Sequence, residues 1–254
     1  MRPQTNEPHV GILFPGQGSQ YPGMADPWLD HAAGKDLLDR FSEIVGWDVV
    51  DRCRDPEALA GTETAQLGIL ACDLAAFAVL RAEGVGVHAA AGHSLGEYAA
   101  LVASSAVNLE SGVRTVIARA EAMGRAGRER PGTMSAILGM SPEAAAEVCE
   151  VAGRGDVLAV ANENAPKQIV LSGSVAAIER AEALARDRGA KALRLRVAGA
   201  FHSPLMKPAL QQVRDVISRA EFRTPEFPIV PNVSAKPTTQ PLVLRDLLSR
   251  QVIS

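Results

Sequence analysis

The chain has 254 residues, 47% of them hydrophobic and 22% charged, enough to bury a sizeable core at the upper edge of what one domain usually holds. A formal net charge of −3 and a pI near 6.0 exclude global recruitment to nucleic acid or anionic membrane, so any partner surface has to be a local patch. Three cysteines, Cys53, Cys72 and Cys149, form no CxxC pair and no metal-like spacing, and an odd count argues against a disulfide framework and for a reducing cytoplasm. Glu7 and Pro8 stand where a signal peptide needs apolar residues, and the longest apolar stretch, 67–80, is interrupted by Asp73. The expectation is a soluble cytoplasmic protein without a membrane or nucleic-acid partner.

Residues 10–14 form a short apolar run ending in Pro15-Gly16-Gln17-Gly18, which reads as a buried first strand entering a tight loop. Helical patterns follow over 35–45 and 64–81, the second closed by Gly84 as a helix C-cap. A second strand over 87–92 meets a sharp turn at Ser94, and another helix spans 110–125. This alternation predicts a mostly parallel α/β sheet. The charged, glycine-bearing stretch 125–132 then leads into a different rhythm. Residues 136–139 read as a strand, Ser141-Pro142-Glu143 as an N-cap with proline at the first helical position, and 157–161 and 168–171 as strands around the turn sequence Asn162-Glu163-Asn164-Ala165-Pro166. Ser174 can cap a helix that stops at Gly189, and 193–197 make the last strand of this part. The order strand-helix-strand-strand-helix-strand is the split βαβ pattern of a small ferredoxin-like unit. A helix over 204–220, a strand over 229–233 and a short helix ending near Arg250 complete the chain. The expected architecture is an α/β-hydrolase-like large domain (1–132 and 199–254) with a parallel sheet, interrupted by a small ferredoxin-like domain (133–198).

Gly92-His93-Ser94-Leu95-Gly96 is a G-x-S-x-G sequence between a predicted strand and a predicted helix. Its glycines allow a strained turn that pushes the serine hydroxyl outward, and the following helix supplies free N–H groups, with that of Leu95 placed to meet an oxyanion. An ordinary glycine-flanked turn is the plain alternative. A serine hydroxyl needs a base, and the candidates are His9, His31, His88, His93 and His202. His93 adjoins the serine and should point elsewhere. His202, in Gly199-Ala200-Phe201-His202-Ser203-Pro204 just after the small unit, is the best of them, in a role typically worth about 100- to 10,000-fold.

On the helix over 110–125, Arg119 lies on the flank opposite Arg114, Glu121, Arg125 and Arg128, beside Met123. Two readings stay open: an arginine snorkelling over apolar surface, or a guanidinium aimed at a carboxylate through two parallel hydrogen bonds. The glycine-rich loop after the first strand is not a dinucleotide fingerprint, because Tyr21 replaces the third glycine and no matching acidic residue follows a second strand. There is no Walker sequence and no His-Glu-x-x-His, so neither a metal nor a bound cofactor is expected. A second oxyanion N–H from Gln17 suits such a loop.

Taken together, FPGQGSQ at the first strand, GHSLGEYAAL at the turn, Arg119 followed by Met123, NENAPKQIVLSG, and GAFHSPLMKPA resemble the malonyl-CoA:acyl carrier protein transacylase family, which includes acyltransferase domains of fatty acid and polyketide synthases. The resemblance covers nearly the whole chain. It implies Ser94 as nucleophile, His202 as base, the N–H groups of Gln17 and Leu95 as oxyanion hole, and Arg119 as clamp for the malonyl carboxylate. It also implies that the backbone carbonyl of Gln251 orients the histidine in place of a triad aspartate. Phe201 and Leu95 resemble the malonyl-selective form, in which a bulky ring fills the room of an α-methyl group. The implied substrates are malonyl-CoA, with the coenzyme A thioester as substrate rather than cofactor, and an acyl carrier protein. Family members usually run on for several dozen residues past the point matching Gln251, whereas this sequence stops at Ser254. For an acidic carrier, Lys167, Arg186, Arg188, Lys191, Arg194 and Arg196 are either a docking face or a merely solvated one. Two rivals are an acyl-thioester hydrolase on the same fold, for which a buried cation has no use, and an inactive carrier-docking module, which leaves Ser94, His202 and Arg119 without a shared purpose.

Overall fold

A computed structural model describes residues 9–253. The chain divides into two compact units, one of residues up to Ile117 together with Ser218–Leu247, the other of Ala118–Ile217 and the residues from Leu248 on.

The first unit opens with β1 (Gly11–Phe14), followed by α1 (Ala32–Val45), α2 (Val49–Arg54), α3 (Pro56–Ala60), α4 (Thr62–Ala82), β2 (Ala89–Gly92) and α5 (Gly96–Ala103). Helix α6 (Leu109–Glu129) carries the chain into the second unit. The two short helices α2 and α3 are absent from the sequence reading, yet both carry a local signal. Asp48 accepts hydrogen bonds from the N–H groups of Val50 and Asp51, and Asp55 does the same for Glu57 and Ala58 ahead of Pro56, satisfying donors that a helix start otherwise leaves orphaned.

Helix α4 is the spine of this unit. Residues 65–75, Cys72 excepted, are buried, and α1, α2, α3 and α5 all pack on it. By length and composition it could cross a membrane, but 67% of its most apolar window is already buried inside the protein, which is what a core helix of a soluble protein requires. Gly68 sets the distance to α2, since a Cβ there would lie 2.8 Å from both Cys53 Sγ and Met24 Cε. All three cysteines are free thiols.

The second unit contains β3 (Thr133–Leu138), α7 (Pro142–Gly153), β4 (Leu158–Ala165), β5 (Gln168–Gly173), α8 (Val175–Asp187) and β6 (Lys191–Arg194), then α9 (Lys207–Arg219). Its sheet is antiparallel in the order β4-β5-β3-β6, the ferredoxin-like arrangement expected of this element order. Ile137, Val148, Ile169, Leu171 and Ile178 form the core between sheet and helices. Ser141 and Ser174 cap α7 and α8 through hydrogen bonds accepted from Ala144 and Ala177 N–H. Strand β4 runs further than its polar sequence implies, through Asn162 to Ala165, with register shifts between Val160 and Asn162 and between Glu163 and Ala165. It is one of the sheet's two edge strands, its last residues face solvent, and the bulges reconcile polar side chains with continued pairing. The predicted turn shrinks to Pro166-Lys167. Strand β6 lies earlier than the predicted 193–197, because its pairing with β3 runs from Leu138↔Lys191 to Ser135↔Arg194.

The chain returns to the first unit with β7 (Ile229–Val230) and α10 (Pro241–Arg250), which again straddles the division. The first unit's sheet has the order β1-β2-β7, parallel throughout. Strand β7 stops two residues into the predicted 229–233 because Pro231 has no N–H to continue the ladder. Strand β1 is not the buried strand expected: only Phe14 is buried and Leu13 is 82% exposed, since burial depends on what covers a strand's faces and an apolar run alone does not supply a cover.

Within α4, Asp73 is 8% exposed, and its Oδ2 has no hydrogen-bond partner among the described residues. Burial pushes its carboxyl from 3.8 up to about 8, because the charged form is the one desolvation penalises. The folded state therefore holds a proton that the unfolded chain releases, and stability falls as pH rises from the unfolded value through the folded one. Asp73→Asn is expected to raise the thermal midpoint by roughly 5 °C at about pH 8.5 and to change it little near pH 4. Melting curves across that range check it; a constant difference at every pH contradicts it.

Candidate active site

The first unit builds a nucleophile turn. Ser94 has φ 52°, a left-handed conformation that a residue with a Cβ adopts only when its surroundings impose it. The surroundings do so by proximity. A Cβ on Gly92 would sit 1.9 Å from the Gly96 carbonyl carbon, and one on Gly96 would sit 2.2 Å from the Phe14 carbonyl oxygen. The G-x-S-x-G spacing thus records two places where backbone meets backbone without room for a side chain. His93 N–H donates to the Phe14 carbonyl at 2.9 Å, and a Cβ on Gly16 would lie 2.3 Å from the His93 carbonyl oxygen, so the loop carrying Gln17 lies directly against the turn. Leu95 opens α5 and is fully buried, leaving its N–H at a helix start where N–H groups lack intrahelical acceptors.

Two side chains that the sequence reading passes over reach this set. Gln66, fully buried in α4, donates from Nε2 to Gln17 Oε1 at 3.1 Å. Asn232, just past β7, touches both sides of the turn. The one sequence signal for Gln66 is an amide at the start of the apolar run 67–71; Asn232 has no local signal, because its partners lie more than a hundred residues away.

The second unit holds the other set. His202 is 7% exposed with φ 55°, and its Nδ1 lies 3.0 Å from the backbone carbonyl oxygen of Gln251. A carbonyl only accepts, so Nδ1 carries the proton and Nε2 of the neutral ring is left as the basic nitrogen. Ser203 Oγ donates to the Ala200 carbonyl at 2.6 Å and accepts from Leu205 N–H, bracing the loop on the other side of the histidine. Arg119 in α6 is 1% exposed and is the largest of the fully buried side chains. A snorkelling arginine keeps its guanidinium in water; this one does not. Met123, one turn on, and Phe201 are also buried.

The residues singled out from sequence therefore fall into two groups: Gln17, Ser94 and Leu95 in the first unit, and Arg119, Met123, Phe201, His202 and Gln251 in the second. Of the six basic residues of the small sheet region, Arg186 and Arg194 are bound to Glu182 and Arg188 to Glu147. The Arg194 guanidinium holds the Glu182 carboxyl below its ordinary value. Half of the supposed docking face is thus engaged internally. Among the described residues no group of three or more His, Cys, Asp or Glu side chains could hold a metal ion.

Residues 12–250 match the family described as acyl transferase domain. The chain is 38% identical over 250 residues to a malonyl CoA-acyl carrier protein transacylase of Bacillus subtilis (strain 168), covering 96% of this chain and 79% of the relative. It is 36% identical to the protein of the same name from Escherichia coli (strain K12), over 95% of this chain and 80% of the relative. Among solved structures it is similar to an acyl-carrier-protein S-malonyltransferase of Burkholderia pseudomallei 1710b, with a TM-score of 0.91 at 35% identity, covering 96% and 81% of the two chains. It is also similar to a malonyl-transacylase solved in complex with its type II PKS acyl-carrier protein, with a TM-score of 0.92 at 33% identity over 96% and 81%. With the glycine-packed serine turn, the carbonyl-held histidine and the buried arginine all present in its fold, the chain belongs to the malonyl-CoA:acyl carrier protein transacylase family of acyl transferases.

Proposed function

We propose that the chain transfers a malonyl group from malonyl-CoA to the phosphopantetheine thiol of an acyl carrier protein, through a malonyl ester on Ser94, for fatty acid or polyketide synthesis. Ser94 Oγ attacks the thioester carbonyl as Nε2 of His202 takes its proton. The N–H groups of Leu95 and Gln17 hold the tetrahedral oxyanion, each worth ~100- to 1,000-fold. The C–S bond then breaks, and coenzyme A leaves as a thiol with the proton from His202. The carrier's thiol repeats the steps in reverse: it gives its proton to His202, attacks the malonyl ester, and Ser94 Oγ leaves and recovers a proton. The Gln251 carbonyl keeps the ring in the required tautomer. Arg119 binds the free malonyl carboxylate, while Met123 and Phe201 bound the acyl group and the Phe201 ring occupies the room of an α-methyl. No cofactor takes part, and the enzyme works in the cytoplasm.

The observation that carries this reading is the burial of Arg119, 1% exposed. Desolvating a guanidinium costs several kcal/mol, and an anionic substrate group offers a reason for the cation to be there. A hydrolase for uncharged acyl thioesters offers none. The names of the relatives at 36% and 38% identity point the same way.

Brief incubation with malonyl-CoA is expected to add one malonyl group to the intact protein by mass, none to Ser94→Ala, and the adduct should vanish when carrier protein bearing free phosphopantetheine is added. Rapid appearance of free malonate without carrier would instead favour hydrolysis. Arg119→Ala is expected to lower kcat/KM for malonyl-CoA by roughly 100-fold while acetyl-CoA, lacking the carboxylate, is affected by less than about 10-fold. Equal losses for both substrates would assign the arginine to structure alone.

A further inference from the structure

The parallel ladder between β2 and β7 pairs Ala90 with Ile229 and Ala91 with Val230. The next step would set Gly92 beside Pro231, and proline has no N–H to give. At that point the side chain of Asn232 takes the place of a strand. Its Nδ2 donates to the Gly92 carbonyl at 2.6 Å, and its Oδ1 accepts from the Ser94 N–H at 2.8 Å. Only one orientation of the amide matches donor to acceptor at both ends, so the assignment is fixed by its partners. A single planar group therefore ties the backbone on each side of His93. The backbone N–H of Asn232 donates to Glu97 Oε2 at 3.0 Å, and Glu97 is 1% exposed in the first turn of α5, where the helix dipole favours a carboxylate. Strand end, serine and helix start are thereby fastened to one residue.

We infer that Asn232 is a positioning residue that holds Ser94 in its left-handed conformation and so sets the direction of its hydroxyl. A non-glycine residue at φ 52° is strained and keeps that conformation only where the surroundings over-determine it. The glycine contacts of the turn forbid side chains at 92 and 96, but they do not by themselves dictate the plane of the Ser94 peptide; the Asn232 amide does. With that plane and φ held, only ψ of Ser94 remains to set where the chain leaves toward the Leu95 N–H. A displacement of about 1 Å at a reacting group can cost on the order of 100-fold in rate.

This inference rests on Ser94 being the nucleophile proposed above, so its test uses two acylating reagents. The full chain, Asn232→Ala and Asn232→Asp would each be mixed with malonyl-CoA and, separately, with a fluorophosphonate that labels activated serines, and the rate constant and final extent of Ser94 modification followed by intact mass. Both variants are expected to label 10- to 100-fold more slowly, to the same final extent, with melting showing them folded. Asn232→Asp, which keeps the acceptor for Ser94 N–H but loses the donor to Gly92 beside the Glu97 carboxylate, should recover toward the wild-type rate as pH falls and its carboxyl gains a proton to donate. A purely structural asparagine would change the folded fraction and hence the final extent, not the rate constant or its pH dependence. Wild-type rate constants at neutral pH in either folded variant overturn the inference, as does an Asn232→Asp deficit that stays the same as pH falls, and so does a wild-type protein whose Ser94 reacts with neither reagent. Labelling of the wild type by fluorophosphonate but not by malonyl-CoA refutes the malonyl reading while the Asn232 comparison still stands on the first reagent.

Discussion

Contact between bare backbones is the constraint on which the first unit's serine turn depends. The loop after β1 and the turn after β2 approach so closely that a methyl group at Gly16, Gly92 or Gly96 would overlap carbonyl atoms. Two neighbouring parallel strands bring both segments to the same end of the sheet, where loops of an open α/β sheet form ligand crevices. The close approach makes the Gln17 loop a direct neighbour of the Ser94 turn. Gln66, reaching out of the buried spine of α4 to the Gln17 side chain, ties that loop to the most heavily packed helix of the unit.

The protein buries charged side chains in three different ways. Glu97 sits at a helix start and accepts a backbone N–H, an environment that suits its charge. Asp73 sits mid-helix among apolar neighbours, with one oxygen unpartnered among the described residues, an environment that favours its neutral form. Both are acids inside the same unit, yet Asp73 meets desolvation that penalises its charge, whereas Glu97 accepts a backbone N–H at a helix start. Arg119 in the second unit differs again, as a buried guanidinium, a cation more weakly hydrated than an ammonium and so less costly to take out of water.

The elements that sequence announces well are those with local causes. The caps Ser141 and Ser174, the glycine stop at Gly189 and the G-x-S-x-G turn are each written in a few adjacent residues, and the structure carries them where expected. The βαββαβ order followed from the same cues. What sequence did not announce depends on partners distant along the chain. The exposure of β1 depends on which elements cover its faces, the length of β4 on pairing with β5, and the amide of Asn232 acquires its meaning from Gly92 and Ser94, 140 and 138 positions away. The short helices α2 and α3 carry their signal in Asp48 and in Asp55-Pro56 alone, because neither has room for an amphipathic repeat.

The hydrogen bond between His202 Nδ1 and the carbonyl of Gln251 uses an acceptor that every amino acid possesses. Where an aspartate orients a histidine, one codon change can delete the acceptor. Here any residue at 251 still supplies a carbonyl, so the chemical identity of the acceptor is robust to mutation and only its position is exposed to change. That position is set by the burial of Gln251 and Val252, so inheritance acts on the tautomer through packing volume rather than through charge. Drift at this position can therefore alter the size and polarity of a side chain while the proton on the histidine stays where it was.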